Sequence, residues 1–152
     1  MTGVGGGVAV YGRDLRIEAS TILGNTATKA IDAGATGFPF IEVIGSLVSV
    51  PSGQACGQGI VSLGYNLFPD TSCGTLLATD KVDANPRVNP LANYGGPTAT
   101  YQLLTTSPAR NTIPVGTPVL CQAGVSKDQR SIPRPQGPAC DMGAFEGAVP
   151  PP

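Results

Sequence analysis

The sequence predicts an all-β fold, namely a short right-handed parallel β-helix (a solenoid of two or three rungs) that ends in a loop-rich C-terminal cap braced by disulfides. Gly (21) and Pro (15) are abundant among the 152 residues, while Val, Ile and Leu recur in tight clusters, a combination typical of many short strands joined by turns. No window keeps apolar residues at helical spacing without an interrupting Gly or Pro, so we expect almost no helix. The third observation is an internal repeat.

The repeat aligns residues 15–23 (LRIEASTIL) with residues 41–49 (IEVIGSLVS). Both copies place an apolar–charged–apolar triplet before a small residue, a Ser and further apolar residues. In a solenoid, each rung contributes strands of three to five residues whose inward side chains stack on those of neighbouring rungs. A β-sandwich with hairpins is the alternative, and it is less favoured because no Asn-Gly or Asp-Gly hairpin turn occurs.

Glycine-rich segments indicate corners, where the chain turns with φ > 0 or approaches a neighbour closely. These segments are Gly5-Gly6-Gly7, Gly24-Asn25 and Gly34, and the Asn25 amide could join a ladder along the solenoid. From Gln54 onward strands become sparser and prolines more frequent. We therefore expect terminal β-helix rungs over residues 1–60, a C-terminal cap region of the same domain over 61–147, and the start of a Pro-rich spacer over 148–152.

The chain has four cysteines, Cys56, Cys73, Cys121 and Cys140, and no histidine. None forms a CxxC pair, which disfavours a zinc site and favours disulfides. Four cysteines allow three pairings; the sequential one closes two short loops and would contribute about 3 kcal/mol per bond in the chain-entropy model. Four buried free thiols are the alternative. Disulfides favour an oxidising compartment, and we therefore expect an extracellular location.

Charge and hydropathy narrow the choice of partners. The net charge of −1 and the lack of basic residues interleaved with aromatic ones give no reason to expect a nucleic acid as partner. The longest apolar stretches are far below the roughly 18 residues of a membrane span, so no direct membrane span is expected. Residues 1–7 lack the features of a secretory leader. We therefore expect this chain to be part of a longer protein.

Short motifs follow one another in a specific order between Ser62 and Glu146. They are Leu63-Gly64-Tyr65-Asn66-Leu67, Asp70-Thr71-Ser72-Cys73-Gly74, Asp83-Ala84-Asn85-Pro86, Pro90-Leu91, Asn93-Tyr94-Gly95-Gly96-Pro97-Thr98-Ala99-Thr100, Leu103-Leu104, Ser107-Pro108-Ala109, Asp128-Gln129-Arg130, Arg134-Pro135 and Cys140-Asp141-Met142-Gly143-Ala144-Phe145-Glu146. In this order, the stretch resembles the C-terminal region of the bacterial surface β-helix proteins called choice-of-anchor Q domain proteins. Their parent proteins often carry polymorphic outer membrane protein-like or pectate-lyase-like repeats. The resemblance implies a bacterial cell-surface protein whose β-helix ends in this cap.

The chain departs from the pattern of that family at two points. After residues 107–109 the family usually continues with Ile-Asp-Ala-Gly, whereas Arg110-Asn111-Thr112-Ile113 stands here. The glycine expected after residues 128–130 is Ser131.

Five charged residues of the cap are expected to form hydrogen-bonded ion pairs that fix its fold. A planar guanidinium can brace several carbonyl groups or a carboxylate at once. The five residues are Asp128, Arg130, Arg134, Asp141 and Glu146.

No cofactor is expected, and calcium is the one ion that the sequence leaves open. Asp80, Asp83 and the Asn85 side chain, with backbone carbonyls, could supply the hard oxygen ligands that calcium prefers. The favoured interpretation is that these side chains form Asx turns, in which they accept hydrogen bonds from nearby backbone N–H groups.

A catalytic site is not expected. The absence of histidine excludes a Ser or Cys nucleophile activated by a His base. A pectate-lyase-type site would need clustered carboxylates and a basic residue on a neighbouring rung. Arg16 and Glu18 share the outward face of one predicted strand, where a solvated charge pair worth less than about 1 kcal/mol is the favoured interpretation. Candidates for such a site are Asp14, Arg16, Glu18, Lys29, Asp80, Lys81 and Asp83.

The sequence favours a non-catalytic extracellular or cell-surface module for structural display, adhesion or self-assembly. Its partners would be preceding β-helix rungs or identical subunits at an open solenoid edge, and surface glycans. The alternative is a fragment of a carbohydrate-active β-helix enzyme, a polysaccharide lyase or hydrolase. A groove lined by several carboxylates and a basic residue would favour the enzyme, and a self-complementary apolar face would favour assembly.

Overall fold

The structure, a computed structural model, describes residues 7–10, 14–34 and 40–148, which form ten β-strands and no helix. The strands are β1 (Val8–Ala9), β2 (Leu15–Glu18), β3 (Thr21–Leu23), β4 (Lys29–Asp32), β5 (Ile41–Ile44), β6 (Leu47–Ser49), β7 (Gln54–Cys56), β8 (Ile60–Ser62), β9 (Leu67–Phe68) and β10 (Lys81–Val82). The expected all-β fold is therefore confirmed. β1, β9 and β10 have two residues each, fewer than the three to five expected.

The strands form three parallel sheets whose members recur every third strand. The sheet orders are β1-β4-β7, β2-β5-β8 and β3-β6-β9-β10. We call three successive strands, one from each sheet, a rung. Parallel pairing continues to Val82, well past residue 60, where strands were expected to give way to the cap.

The internal repeat is the register of the first two rungs. Leu15 pairs with Ile41 and Glu18 with Ile44 in one sheet, and Thr21 pairs with Leu47 in the next. This register aligns the inward side chains of one rung with those of the next, since a slip of one residue would turn every apolar side chain outward. This pairing confirms the repeat that the sequence predicts.

The first hydrophobic core lies between the three sheets. Ile31, Ile41, Val48 and Phe68, contributed by all three sheets, are almost completely buried in it. Each rung supplies only a few of these side chains, so the apolar interior is completed only by stacking.

One corner between the sheets is closed by a polar ladder. The Ser20 N–H donates to Ser46 Oγ (3.1 Å), the Ser46 N–H to Asn66 Oδ1 (2.9 Å), and the Asn66 N–H to Asp80 Oδ1 (2.9 Å). Each side chain thus satisfies a backbone donor of the preceding rung at a place where the chain leaves one sheet for the next. This ladder does not run through Asn25, the residue from which the sequence led us to expect one.

Left-handed residues allow the chain to turn at these corners. Gly24 and Gly34 have φ values of 76° and 74°, as their sequence context predicts. Gly7 lies where an added Cβ would come within 2.7 Å of Ile22, so its small size permits close approach. Gly5 and Gly6 lie outside the described residues, as does the end of the Pro-rich segment at 149–152.

A short segment after β9 closes the last rung. The Ala55 N–H donates to Asp70 Oδ2 (3.0 Å) and the Cys56 N–H to Ser72 Oγ (3.0 Å), which satisfies edge donors of β7. A disulfide joins Cys56 to Cys73, with 4.8 Å between their Cα atoms. Burial alone would raise the pKa of Asp70, but hydrogen bonds from Ser72 and Ala55 outweigh it and hold this pKa below its ordinary value.

The rest of the cap packs along the side of the rungs. Leu47 and Leu67 point out of the third sheet into a second core, where cap residues such as Leu120, Met142 and Phe145 cover them. The Ala144 N–H donates to Thr21 Oγ1 (3.0 Å) in the first rung. Of the C-terminal cap, only the short segment after β9 therefore covers the end of the stacked rungs. The larger part covers their side, because the outward side chains of Leu47 and Leu67 form an apolar surface there.

The second disulfide, between Cys121 and Cys140, lies inside that flanking core. The described chain has no free cysteine, so the sequential pairing is the observed one and the alternative of four thiols is wrong. None of the described segments is a helix of the length and apolar character needed to cross a membrane.

Candidate functional sites

A buried arginine organises the end of the cap. Arg134, whose side chain is 2% exposed, forms an ion pair with Glu146 (Nη1 to Oε2, 2.9 Å). It also donates to the Asp141 carbonyl (2.7 Å) and the Gly143 carbonyl (2.6 Å). Its Nε is buried and has no partner among the described residues. One guanidinium therefore ties three points of the last turn of the chain together.

A second arginine links that turn to the neighbouring loop. Arg130 Nη2 lies 2.6 Å from Asp128 Oδ2 and donates to the Glu146 carbonyl (2.6 Å). Its guanidinium carbon stands 3.5 Å from the centre of the Phe145 ring, a cation–π geometry. The ring in turn contacts Tyr94 edge-on, with 6.4 Å between centroids.

Asp141 completes the network through backbone donors. Its carboxylate accepts the N–H groups of Asn111 and Gly147, both at 2.7 Å. The structure thus brings all five predicted cap residues together, four of them as two ion pairs and Asp141 as an acceptor of main-chain hydrogen bonds.

The carboxyl groups of the network differ in their pKa values. Burial raises the pKa of Glu146 and of Asp141 above their ordinary values, although hydrogen bonds and nearby arginines oppose the shift. Burial acts in the same direction on Asp128, but hydrogen bonds from Glu146, Arg130 and Ile132 outweigh it, and the pKa of Asp128 is lowered. These environments fit a network that fixes the fold.

Ser131 and Arg110 each have a distinct local environment. Ser131 has a φ of 67°, the left-handed conformation in which glycine would be unstrained. Arg110 donates from Nη2 to the carbonyls of Gly147 (3.0 Å) and Ala148 (2.8 Å). The Arg110 side chain therefore contacts the last described turn.

The calcium candidates already accept hydrogen bonds from the protein. Asp80 accepts from Asn66, Ser62 Oγ (2.6 Å) and the Leu77 N–H (2.8 Å). Asp83 and Asn85 each accept the N–H of the residue two positions later, at 2.9 Å. This is the Asx-turn geometry. Within the described ranges, no three His, Cys, Asp or Glu side chains are grouped so that they could hold a metal ion.

The candidate catalytic residues do not meet at one place. Asp14, Arg16 and Glu18 belong to the β2 region, Lys29 lies on β4 in a different sheet and pairs with Asp32 (3.3 Å), and Asp80, Lys81 and Asp83 lie around β10 in the third sheet. The structure thus places the candidate catalytic residues on three different sheets.

One groove nevertheless combines acidic, basic and apolar groups. A cavity of about 440 Å³ on the β2-β5-β8 sheet is lined by Asp14, Leu15, Arg16, Phe40, Glu42 and Val61. Arg16 Nε lies 2.5 Å from Glu18, and its Nη1 lies 4.0 Å from Glu42. We call this cavity the Arg16 groove. Sequence reasoning missed Glu42, although the 26-residue repeat places it directly beside Arg16 in the register.

A second groove lies between the last strand and the cap. It has a volume of about 410 Å³ and is lined by Tyr65, Ala78, Thr79, Asp80, Lys81, Arg110, Asn111, Thr112 and Pro114. We call it the Lys81–Arg110 groove. Its residues are far apart in sequence, so no motif could have indicated it.

Comparison with known proteins does not add to this picture. No family model matches the sequence, and neither a curated protein nor a solved structure matches the chain.

Proposed function

We propose that this chain is the terminal part of an extracellular right-handed parallel β-helix, a non-catalytic module for surface display, adhesion or assembly whose first rung stacks on further rungs or on another copy. The two disulfides support an oxidising compartment. The order of motifs between Ser62 and Glu146 supports the choice-of-anchor Q resemblance and, with it, a bacterial cell surface.

The observation that carries the proposal is the graded burial of inward side chains along the stack. In one column, Leu15 of the first rung is 36% exposed, whereas its partner Ile41 in the second rung is 0% exposed. In another, Ile22 is only partly buried while its partner Val48 is fully buried. Among the described residues, the first rung thus lacks the apolar cover that the second rung receives from its neighbours.

The backbone of the first rung can also accept a further strand, because β2 is an edge strand of its sheet among the described residues. The N–H groups of Leu15 and Ala19, at the two ends of this segment, donate to the carbonyls of Phe40 and Ile44 on the β5 side. Because the backbone groups of alternate residues in a parallel strand point to opposite sides, those of Arg16 and Glu18 face away from β5, and the Glu18 carbonyl also accepts a hydrogen bond from Ser20 Oγ (2.7 Å). An added strand would pair with them.

The proposal is tested by adding charge at the exposed end of the column. We expect the chain to self-associate with rising concentration in sedimentation velocity runs, and Leu15→Lys to abolish that association. Leu104→Lys is the matched control, since Leu104 is 38% exposed but lies in the cap. A chain extended at its N-terminus by one more rung should instead remain monomeric and unfold at a higher temperature. If neither self-association nor stabilisation is found, the proposal is wrong.

A second candidate is supported by the Arg16 groove. Its carboxylates, arginine and exposed Phe40 form the kind of surface that a polysaccharide-cleaving site on a β-helix would need. Turnover of uronic-acid polymers, with and without calcium, tests this candidate. Turnover that is lost in Arg16→Gln and kept in Arg87→Gln would support an enzyme, whereas absence of turnover by the intact chain would exclude it for these substrates.

A further inference from the structure

Three columns of inward side chains run along the stack, one in each sheet, and two of them are closed at the last rung. The column of the first sheet ends at Cys56, which is bonded to Cys73. The column of the second sheet ends at the buried Ile60. A Cβ on Gly74 would come within 2.9 Å of the Ile60 carbonyl oxygen, so the chain after β9 passes directly over this residue. That segment therefore covers both columns.

The column of the third sheet is open at both ends. Its members follow one another in the register of the sheet as Ile22, Val48, Phe68 and Val82. Val48 and Phe68 are fully buried, whereas Ile22 at the first rung is only partly buried and Val82 at the other end is 49% exposed. A strand added at either end would give the terminal side chain the cover that the inner ones already have.

The backbone of β10 can accept such a strand. Among the described residues, β10 is one edge of its sheet and β3 is the opposite edge. The N–H groups of Lys81 and Asp83 donate to the carbonyls of Asn66 and Phe68 on the β9 side. Because backbone groups of alternate residues point to opposite sides of a parallel strand, those of Val82 face away from β9.

β3 offers the matching edge at the other end of the stack. The Ser20 carbonyl accepts from the Leu47 N–H on the β6 side, so the backbone groups of Thr21 face away from β6. A β3 strand added beyond β10 in the register of the sheet would place its Ile22 beside Val82. The Val82 N–H would then donate to the Thr21 carbonyl of the added strand.

The surface around β10 also lacks unpaired charge. We call residues 74–82 the far end of the stack, and its first six residues, 74–79, carry no charge. Asp80 accepts hydrogen bonds from Asn66, Ser62 and Leu77, and Lys81 Nζ donates to the Pro108 carbonyl (2.9 Å). Both charged groups keep these partners within their own chain, so a second copy can cover the far end without leaving a buried charge unpaired.

We propose that this protein assembles head to tail, with the β3 edge of one copy pairing with the β10 edge of the next and Ile22 stacking on Val82. The two surfaces differ, so the contact is heterologous. Because each contact continues the axis of the stack, repeated contacts build an open filament rather than a closed dimer. The inference rests on the proposed function, to which it adds the surface that receives the first rung.

Sedimentation velocity on two variants and on their mixture tests the inference. We expect the parent chain to form species larger than a dimer as its concentration rises. Val82→Lys at the far end and Leu15→Lys at the first rung should each weaken association at least about a hundredfold, because each buries a charge in the contact. An equimolar mixture of the two variants should form a dimer and nothing larger, since only one pair of intact ends remains. Val125→Lys is the matched control, because Val125 is 70% exposed in the cap.

Val82→Pro separates strand pairing from the effect of an added charge. Proline removes the N–H that faces away from β9 and leaves the hydrogen bonds between β9 and β10 in place. This variant should therefore also lose association on its own and form a dimer with Leu15→Lys. Circular dichroism melts identify a variant that does not fold, in which case the other Val82 variant decides.

The outcomes separate this inference from the proposed function. Dimerisation of Val82→Lys or Val82→Pro on its own would overturn the inference and leave the proposed function intact, since first rungs would then meet each other. A mixture that stays monomeric, or a parent chain that stops at a dimer, would also overturn it. A monomeric parent chain that is stabilised by an added N-terminal rung would overturn the inference alone, whereas the absence of both effects would overturn the proposed function as well.

Discussion

Replacement of Arg134 by methionine is expected to destabilise the protein by about 3–5 kcal/mol, the usual cost of breaking a buried ion pair from one side. The Arg134 and Glu146 side chains are only 2% and 0% exposed, so water cannot replace the lost partner. The carbonyls of Asp141 and Gly143 also lose a donor each, at about 1–3 kcal/mol for a buried group left unsatisfied.

Urea unfolding followed by far-ultraviolet circular dichroism, with the disulfides intact, measures this loss. For a chain of this size it corresponds to a fall in Tm of about 10 °C. Arg87→Met is the matched control, because Arg87 pairs with Asp83 at 3.1 Å on the surface and such pairs contribute about 1 kcal/mol or less.

A double variant, Arg134→Met with Glu146→Gln, sharpens the test. We expect it to lose less stability than the two single variants combined, because removing both partners leaves no unpaired buried charge. Equal and small losses for Arg134→Met and Arg87→Met would refute the reasoning. Strict additivity of the two single variants would refute the coupling between Arg134 and Glu146.

Three further predictions concern pH, the second disulfide and a corner glycine. The folded pKa of Asp128 lies below the ordinary 3.8, so its contribution to stability is present above that pH and is lost as pH falls through the folded pKa. Asp128→Asn should therefore flatten the decline of the unfolding free energy below pH 4. An unchanged slope would contradict this. Replacing both cysteines of the second disulfide by serine should cost about 3 kcal/mol in urea unfolding, and no loss would contradict its role in the cap. Gly45→Ala should lower Tm more than Gly95→Ala: both have positive φ, but only at Gly45 would a Cβ meet Leu120, at 2.5 Å. Equal shifts would mean that backbone strain alone matters.

The opposite pKa shifts of the other two network carboxyls bear on the pH experiment. Asp141 and Glu146 have raised folded pKa values, so their favourable contribution is present below their ordinary pKa and is lost as pH rises through the folded one. Their effect in acid is therefore opposite to that of Asp128. The difference in unfolding free energy between the Asp128→Asn variant and the parent chain, measured across the same pH range, isolates the contribution of Asp128.

The sequence determined the local features of this protein. The repeat between residues 15–23 and 41–49 predicted the parallel register, because parallel strands in neighbouring rungs carry the same inward pattern. The scarcity of helical periodicity predicted the all-β fold, and the four cysteines favoured disulfides. These features depend on residues close together in sequence or on a repeated pattern, so they can be read directly from the chain.

Only the tertiary structure decided which distant residues meet. It placed the cap along the flank of the rungs, because Leu47 and Leu67 point outward in strands whose sequence does not indicate which face will be covered. It also placed Lys81 and Arg110 in the lining of one groove, 29 positions apart and without a shared motif. Long-range packing, rather than local propensity, fixes such neighbours, since side chains of the cap and the rungs complete one another's apolar cover only after the chain has folded back on itself.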